Sequence, residues 1–205
     1  NGVGIVRDKL EELGLDDNTV IFFTGDNGGV VSGDAYATNL APLRGGKGRQ
    51  WEGGIRVPFV VYDPTCGNGE MCHTPVSGID LFPTAMDYAG VRASQYQVDG
   101  VTIRPLLEGG KIEERPLFWH YPHYGNQGGE PSSIIRDGEW KLIFYHEDGR
   151  YDLNNLTEDL GETKPLNDTS PKKVEQLKRQ LHKWSQEKRA VLPVPERDQT
   201  SLLFT

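Results

Sequence analysis

The chain has 205 residues, 36% hydrophobic and 25% charged, the balance of an ordinary globular protein rather than a disordered one. Its formal charge of −8 excludes wholesale binding to nucleic acid, which needs a basic surface to replace the counterions around phosphates. No apolar run approaches the roughly 20 residues that span a bilayer, and no basic stretch followed by an apolar one opens the chain, so no membrane partner is expected.

The chain starts at Asn1 without Met and enters a helical pattern at once, which reads as a start inside a longer protein. Residues 3 to 13 place Val3, Val6, Leu10 and Leu13 on one helical face, with Gly14 as the C-terminal glycine. "NTVIFFTG" follows, almost continuously apolar from residue 20 to 23, as expected of a strand buried on both faces of a parallel sheet. A helix leading into a buried strand predicts an α/β layer architecture, with the next residues, "DNGG", at the strand end where open α/β sheets place their ligands. The chain has 25 glycines, and most of the excess falls in residues 25 to 54 and 125 to 129.

"VPFVVYDP" reads as a second buried strand with Pro58 at its start. Cys66 and Cys72 flank a polar loop and form either a short disulfide or two free thiols; neither has partners at zinc-site spacing. "SGIDLFPTAMDYAG" predicts a helix with Pro83 in its first turns, Ile79, Phe82, Met86 and Ala89 on one side, and Gly90 at its end.

After "LLEGGKIEERP" the pattern changes. "PLFWHYPHY" and "SSIIRDGEWKLIFYHEDGRYDL" predict two or three antiparallel strands with turns at DGEW and EDGR. A charged helix over about 171 to 190, with Val174, Leu177, Leu181 and Trp184 on one face, covers them. The expected division is an α/β part over residues 1–113 and a small α+β subdomain over 114–205.

Asp26 and Asn27 offer a carboxylate and a carboxamide oxygen, the ligand chemistry of a hard cation such as Ca²⁺ or Mg²⁺. Ca²⁺ takes about six to eight oxygens, so two residues do not complete a site, and read alone Asp-Asn-Gly-Gly is equally a turn. "LRGGKGRQWEGGIRVP" then sets Arg44, Lys47, Arg49 and Arg56 against Glu52 alone, among glycines that let backbone N–H groups approach a ligand. A cation, a lysine and a glycine-rich loop together suit an oxyanion; the plainer reading is a solvated basic loop.

"TVIFFTGDNGG", "LRGGKGRQWEGGIRVPFVVYDP" and "SGIDLFPTAMDYAGV", in this order and spacing, resemble the C-terminal portion of the type I, formylglycine-dependent sulfatases. "GEWKLI" and "YDLNNLTEDLGE" resemble the small terminal subdomain of the same family. The resemblance implies the last part of an alkaline-phosphatase-like α/β sandwich domain followed by a small α+β subdomain with an antiparallel sheet and one helix. It implies that Asp26 and Asn27 bind Ca²⁺, with Mg²⁺ as the alternative, and that Asp26 also helps deprotonate the hydrated aldehyde nucleophile. Lys47 would contact the sulfate and support the departing oxygen, and the partner would be a sulfated small molecule or carbohydrate.

The chain departs from the family's pattern by what it lacks. The nucleophile arises from a Cys or Ser in a Cys/Ser-x-Pro-x-Arg motif, and neither Cys66 nor Cys72 stands in one. The formylglycine, the other metal carboxylates and further active-site His and Lys residues are therefore expected in a missing N-terminal part of the same protein, and this chain alone is expected to be inactive. Such a protein would be periplasmic or secreted, or lysosomal in a eukaryote; no targeting signal is present in the chain.

"FWHYPHYGNQGG" gathers histidines, aromatics and a glycine-rich turn, as sugar-binding surfaces do, which makes His120 and His123 candidates for substrate contact or leaving-group protonation. Equally, the aromatics are the subdomain's core and the histidines incidental. His73, His146 and His182 receive no functional role. The sequons at Asn155 and Asn167 are near chance level. The alternatives to a sulfuric ester hydrolase are a non-catalytic sulfated-glycan module that keeps the basic loop, and a phosphatase or phosphodiesterase of the same superfamily. Asp26-Asn27, where Asp-His would be expected, speaks against the latter.

Overall fold

A computed structural model describes residues 2–31, 38–66, 69–92 and 95–193. They fall into two compact units, one within residues 1–24 and 58–114, the other within residues 25–57 and 115–205. The glycine-rich segment thus packs with the C-terminal sheet rather than with the strand it follows.

In the first unit, helix α1 spans Gly2–Glu12, strand β1 Ile21–Thr24, strand β2 Phe59–Tyr62, helix α3 Leu81–Tyr88 and the single-turn helix α4 Arg104–Leu107. Gly14 and Gly90 follow α1 and α3 at positive φ, where the sequence places the helix ends. β1 pairs with β2 antiparallel, Phe23 opposite Val60, instead of entering a parallel sheet. An unbroken apolar run does not distinguish the two pairings. Nor is the strand covered on both faces. Phe22 stacks on Phe59 and meets Tyr88 edge-on, but on the opposite face Phe23 is 51% and Val60 58% exposed. Likewise α1 buries no residue.

The inner side of α3 also differs from the apolar pattern: Pro83, Thr84 and Met86 are buried, while Ile79 and Phe82 are exposed. Polar groups turn inward because their bonds are made internally. The buried Asp80 carboxylate accepts from the backbone N–H groups of Ser77 (2.8 Å) and Val101 (3.0 Å). The Thr84 hydroxyl donates to the Asp80 carbonyl at 2.6 Å and accepts from the Ile103 N–H at 3.0 Å.

The second unit holds helix α2 (Glu52–Ile55), strands β3 (Leu117–Tyr121), β4 (Ser132–Asp137), β5 (Trp140–Tyr145) and β6 (Tyr151–Asn155), and helix α5 (Pro171–Glu187). The four strands form one antiparallel sheet in chain order, one strand more than the pattern predicts. Gly138 and Gly149, both at positive φ, turn the two hairpins at DGEW and EDGR. The face of α5 follows the sequence: Leu177 and Leu181 are buried against Ile135, Leu142 and Leu153, with Val174 and Trp184 packed beside them. Trp184 stacks on Phe118 at 4.8 Å between ring centres.

Both sequon asparagines are structural. Asn155 is buried and accepts from the Thr157 N–H at 2.9 Å, and Asn167 accepts from the Leu153 N–H at 2.8 Å while its amide donates to the Tyr151 carbonyl. Cys66 and Cys72 are free thiols, Cys66 donating to Asp63 at 3.3 Å.

Candidate functional site

All five sequence-predicted site residues lie in the second unit. Asp26 and Asn27 follow β1 on a bend, Asp26 exposed and Asn27 half-buried. The Asn27 amide donates to the Asp26 carboxylate at 2.6 Å, so the two oxygen-bearing groups are adjacent in space as well as in sequence. The pair fits a hard cation in kind, one carboxylate with one carboxamide, and falls short of one in number. Among the described residues no group of three or more His, Cys, Asp or Glu side chains is gathered to hold a metal.

Two backbone hydrogen bonds tie the glycines after this pair to the basic loop: Lys47 N–H donates to the Gly29 carbonyl (2.9 Å) and Gly28 N–H to Gly54 (2.9 Å), while Gly53 N–H to Arg44 (2.8 Å) closes the loop on itself. The approach is close enough to require glycine. A Cβ on Gly28 would stand 1.8 Å from the Gly53 carbonyl oxygen, and one on Gly54 would stand 1.9 Å from that of Arg49. The glycines of DNGG and WEGG thus let two segments that are distant in sequence share one backbone lattice, which holds Lys47 beside the Asp26-Asn27 turn.

Glu52, which the sequence presents only as an opposing charge, anchors this lattice. It is 1% exposed, and its carboxylate lies 3.1 Å from the Lys141 ammonium and 3.5 Å from Arg136. Lys141, fully buried on β5, also reaches Glu162 at 2.9 Å, and the Glu52 N–H donates to the Glu162 carboxylate at 2.6 Å. Burial pushes the Glu162 carboxyl above its ordinary range, and Lys141 opposes that push. Arg44 is also structural, donating to the Glu162 carbonyl at 2.7 Å and lying 3.8 Å over the Trp51 ring. Of the basic residues in this loop, Lys47 and Arg56 are exposed and Arg49 is half-buried.

Beside the lattice lies a cavity of about 290 Å³ lined by Asn27, Gly48, Arg49, Trp119, His120, Tyr121 and Glu130, among others. Asp26 and Lys47 are the direct chain neighbours of its lining residues. His123 does not line it; it is exposed and packs edge-on against Tyr121 at 5.4 Å. The structure therefore brings His120 to Asn27 and leaves His123 outside.

His120 stands opposite Ser133 in the β3–β4 register. Its Nδ1 is 2.7 Å from the Ser133 hydroxyl, its Nε2 2.8 Å from the Val191 carbonyl, and Ser133 Oγ is 2.9 Å from His146 Nε2. Burial, and then the neighbouring His120, lower the affinity of His146 for a proton. This chain gives His146 a part that no sequence signal carried, because the connection passes through a serine on the strand between the two histidines.

Comparison with known proteins places the chain in a family. A family model described as Sulfatase matches residues 1–91, and one described as N-sulphoglucosamine sulphohydrolase, C-terminal, matches residues 47–190. The chain belongs to the sulfatase family. It is 34% identical over 185 residues to a sulfatase of Formosa agariphila, covering 80% of this chain and 33% of that protein. Against the N-acetylgalactosamine-6-sulfatase of Canis lupus familiaris it is 33% identical over 148 residues, covering 71% of this chain and 27% of that one. The chain thus spans about a third or less of the length of these relatives.

Among solved structures, that of Ps i-CgsB in complex with k-i-k-neocarrahexaose superposes with a TM-score of 0.74 at 29% identity, covering 90% of this chain and 40% of that one. A phosphonate monoester hydrolase from Silicibacter pomeroyi shares the fold with a TM-score of 0.65 at 21% identity, covering 90% and 38%. The fold is accordingly the C-terminal part of an alkaline-phosphatase-like α/β domain with its small α+β subdomain. Among the described residues no helix is long and apolar enough to cross a membrane.

Proposed function

We propose that this chain is the C-terminal part of a sulfuric ester hydrolase acting on a sulfated carbohydrate, and that Asp26, Asn27, Lys47 and His120 are its contribution to the active site. The observation that carries the reading is the hydrogen bond from the Lys47 N–H to the Gly29 carbonyl, which holds the Lys47 backbone against the segment that carries the carboxylate–carboxamide pair. Family membership and the likeness to a structure in complex with k-i-k-neocarrahexaose support it.

Asp26 and Asn27 would hold a divalent cation, Ca²⁺ in preference to Mg²⁺, with its remaining ligands supplied from outside this chain. When bound, the cation would polarise the sulfate oxygens. The formylglycine expected elsewhere in the protein would supply the attacking oxygen. Within this chain, the Asp26 carboxylate is the acceptor for the nucleophile's proton. Lys47, exposed and beside the turn, places positive charge where the leaving oxygen becomes negative. His120 and the faces of Trp119 and Tyr121 present the cavity wall to the sugar. His123, outside the cavity, would contact only a more extended substrate. Such a protein would be periplasmic or secreted, or lysosomal in a eukaryote.

In the full protein, Lys47→Ala is expected to lower turnover of a sulfate ester at least ~10²-fold, the scale for loss of one transition-state donor. Unchanged turnover would remove Lys47 from the mechanism, and a full protein without turnover on any sulfate ester would favour the non-catalytic binding module.

A further inference from the structure

The cavity beside the Asp26-Asn27 turn contains a cation that the fold leaves unused. Arg49 lines it, half-buried, and among the described residues no ion pair or side-chain hydrogen bond engages its guanidinium. The other charged groups on this wall are accounted for. Glu130 is held by Arg150 at 2.7 Å, and His120 has Ser133 on one ring nitrogen and the Val191 carbonyl on the other. Among the described residues no carboxylate forms an ion pair with Arg49, although leaving a guanidinium partly out of water without a partner is unfavourable.

The surroundings shape the guanidinium's position as well as its charge. It lies against Gly128, where an added Cβ would be 2.8 Å from Nη2 and 3.3 Å from Cζ, and Gly128 takes a φ of +86°. The next residue, Gly129, would meet the Gly48 carbonyl at 1.9 Å if it carried a Cβ. The glycine-rich turn after β3 therefore docks on the Lys47–Arg49 segment and leaves room for the guanidinium against it. Trp119 and Tyr121 line the same cavity, offering flat apolar faces to a sugar ring.

We propose that Arg49 binds a second oxyanion of the substrate, a sulfate or carboxylate on the same saccharide as the ester that Lys47 handles, and so selects multiply charged glycans over singly charged ones. The planar fork of arginine suits either anion in a two-pronged contact, which a lysine at this position would not provide. This deepens the function proposed above and rests on that reading for the identity of the first sulfate.

The test titrates the full protein, its nucleophile replaced by Ala so that the sugars are not turned over, with three disaccharides: one monosulfated, one with a second sulfate, and one with a uronate carboxylate beside the single sulfate. At least one of the doubly charged sugars should bind about tenfold or more tightly than the monosulfated one, and Arg49→Gln should abolish that gain. Whichever second group produces the gain identifies the oxyanion. If neither tightens binding, or if the gain survives Arg49→Gln, the proposal is overturned. Should Arg49→Gln fail to fold by circular dichroism, Arg49→Lys decides: loss of most of the gain supports the fork, full retention overturns it. Monosulfate affinity reports separately on the underlying reading, since it should fall in Lys47→Ala and not in Arg49→Gln. A full protein that binds the dianion through Arg49 but shows no Lys47-dependent monosulfate binding keeps this inference and sinks the sulfate-ester role of Lys47.

Discussion

The His120–Ser133–His146 chain illustrates how single residues gain meaning from their acceptors. The Val191 carbonyl only accepts, so Nε2 of His120 carries the hydrogen, and in the neutral ring Nδ1 accepts from the Ser133 hydroxyl. The serine oxygen then accepts the Nε2–H of His146. Long-range proton–nitrogen correlation spectra at neutral pH should therefore show both rings as the Nε2–H tautomer. Because its folded affinity for protons is lowered, His146 stays neutral below its ordinary 6.5, and as pH falls from there the folded state loses stability relative to an unfolded chain that takes up the proton. Ser133→Ala should cost roughly 1 kcal/mol by leaving half-buried ring nitrogens unpartnered, and should release His146 from the tautomer preference. Titration of His146 at or above its ordinary value would contradict this account.

Among the elements, the decisive contact is between α2 and the sheet. Arg136 and Lys141 are cross-strand partners on β4 and β5, a like-charge juxtaposition that would be unfavourable alone. Glu52 from α2 and Glu162 from the loop after β6 balance them, two carboxylates against two cations. Such a cluster gains little over apolar packing while intact, but loses heavily when one member goes. Lys141→Met should destabilise the second unit by about 3–5 kcal/mol in urea unfolding, and Glu52→Gln added to it should recover part of the loss. A loss within experimental error for Lys141→Met would mean that the carboxylates are hydrated and the anchor is unimportant.

At the scale of the molecule, acid should act on the first unit through one buried carboxylate. Asp63, 7% exposed at the end of β2, is raised by burial, but the hydrogen bonds from Tyr88, Thr65 and Cys66 prevail and bring its carboxyl down to about 2. A depressed carboxyl stabilises the fold above its unfolded value of 3.8, and that contribution disappears as pH falls toward 2. It amounts to roughly 2 kcal/mol at neutral pH. Asp63→Asn should remove it, with the difference from the parent chain vanishing near the lower limit. All four tryptophans, Trp51, Trp119, Trp140 and Trp184, belong to the second unit. The Asp63→Asn effect should thus appear in far-ultraviolet circular dichroism and leave the tryptophan fluorescence transition in place; a shift of both would show that the units unfold together.

The sequence by itself determined the elements whose periodicity is local. The α5 stripe of Val174, Leu177, Leu181 and Trp184, the hairpin turns at Gly138 and Gly149, and the placement of Asp26, Asn27 and Lys47 in glycine-rich segments are all legible in it. Side-chain spacing and φ preference act over a few residues, so one segment suffices to read them. Only the tertiary structure decided that β1 pairs antiparallel with an open face, that Asp80 and Thr84 rather than Ile79 and Phe82 turn inward, and that Glu52 is an anchor. The same holds for the separation of His120, in the cavity, from His123, outside it, and for the part played by His146. Each of these depends on which distant backbone group or charge supplies a partner for a buried polar atom, and that is fixed by long-range packing, which no local pattern encodes.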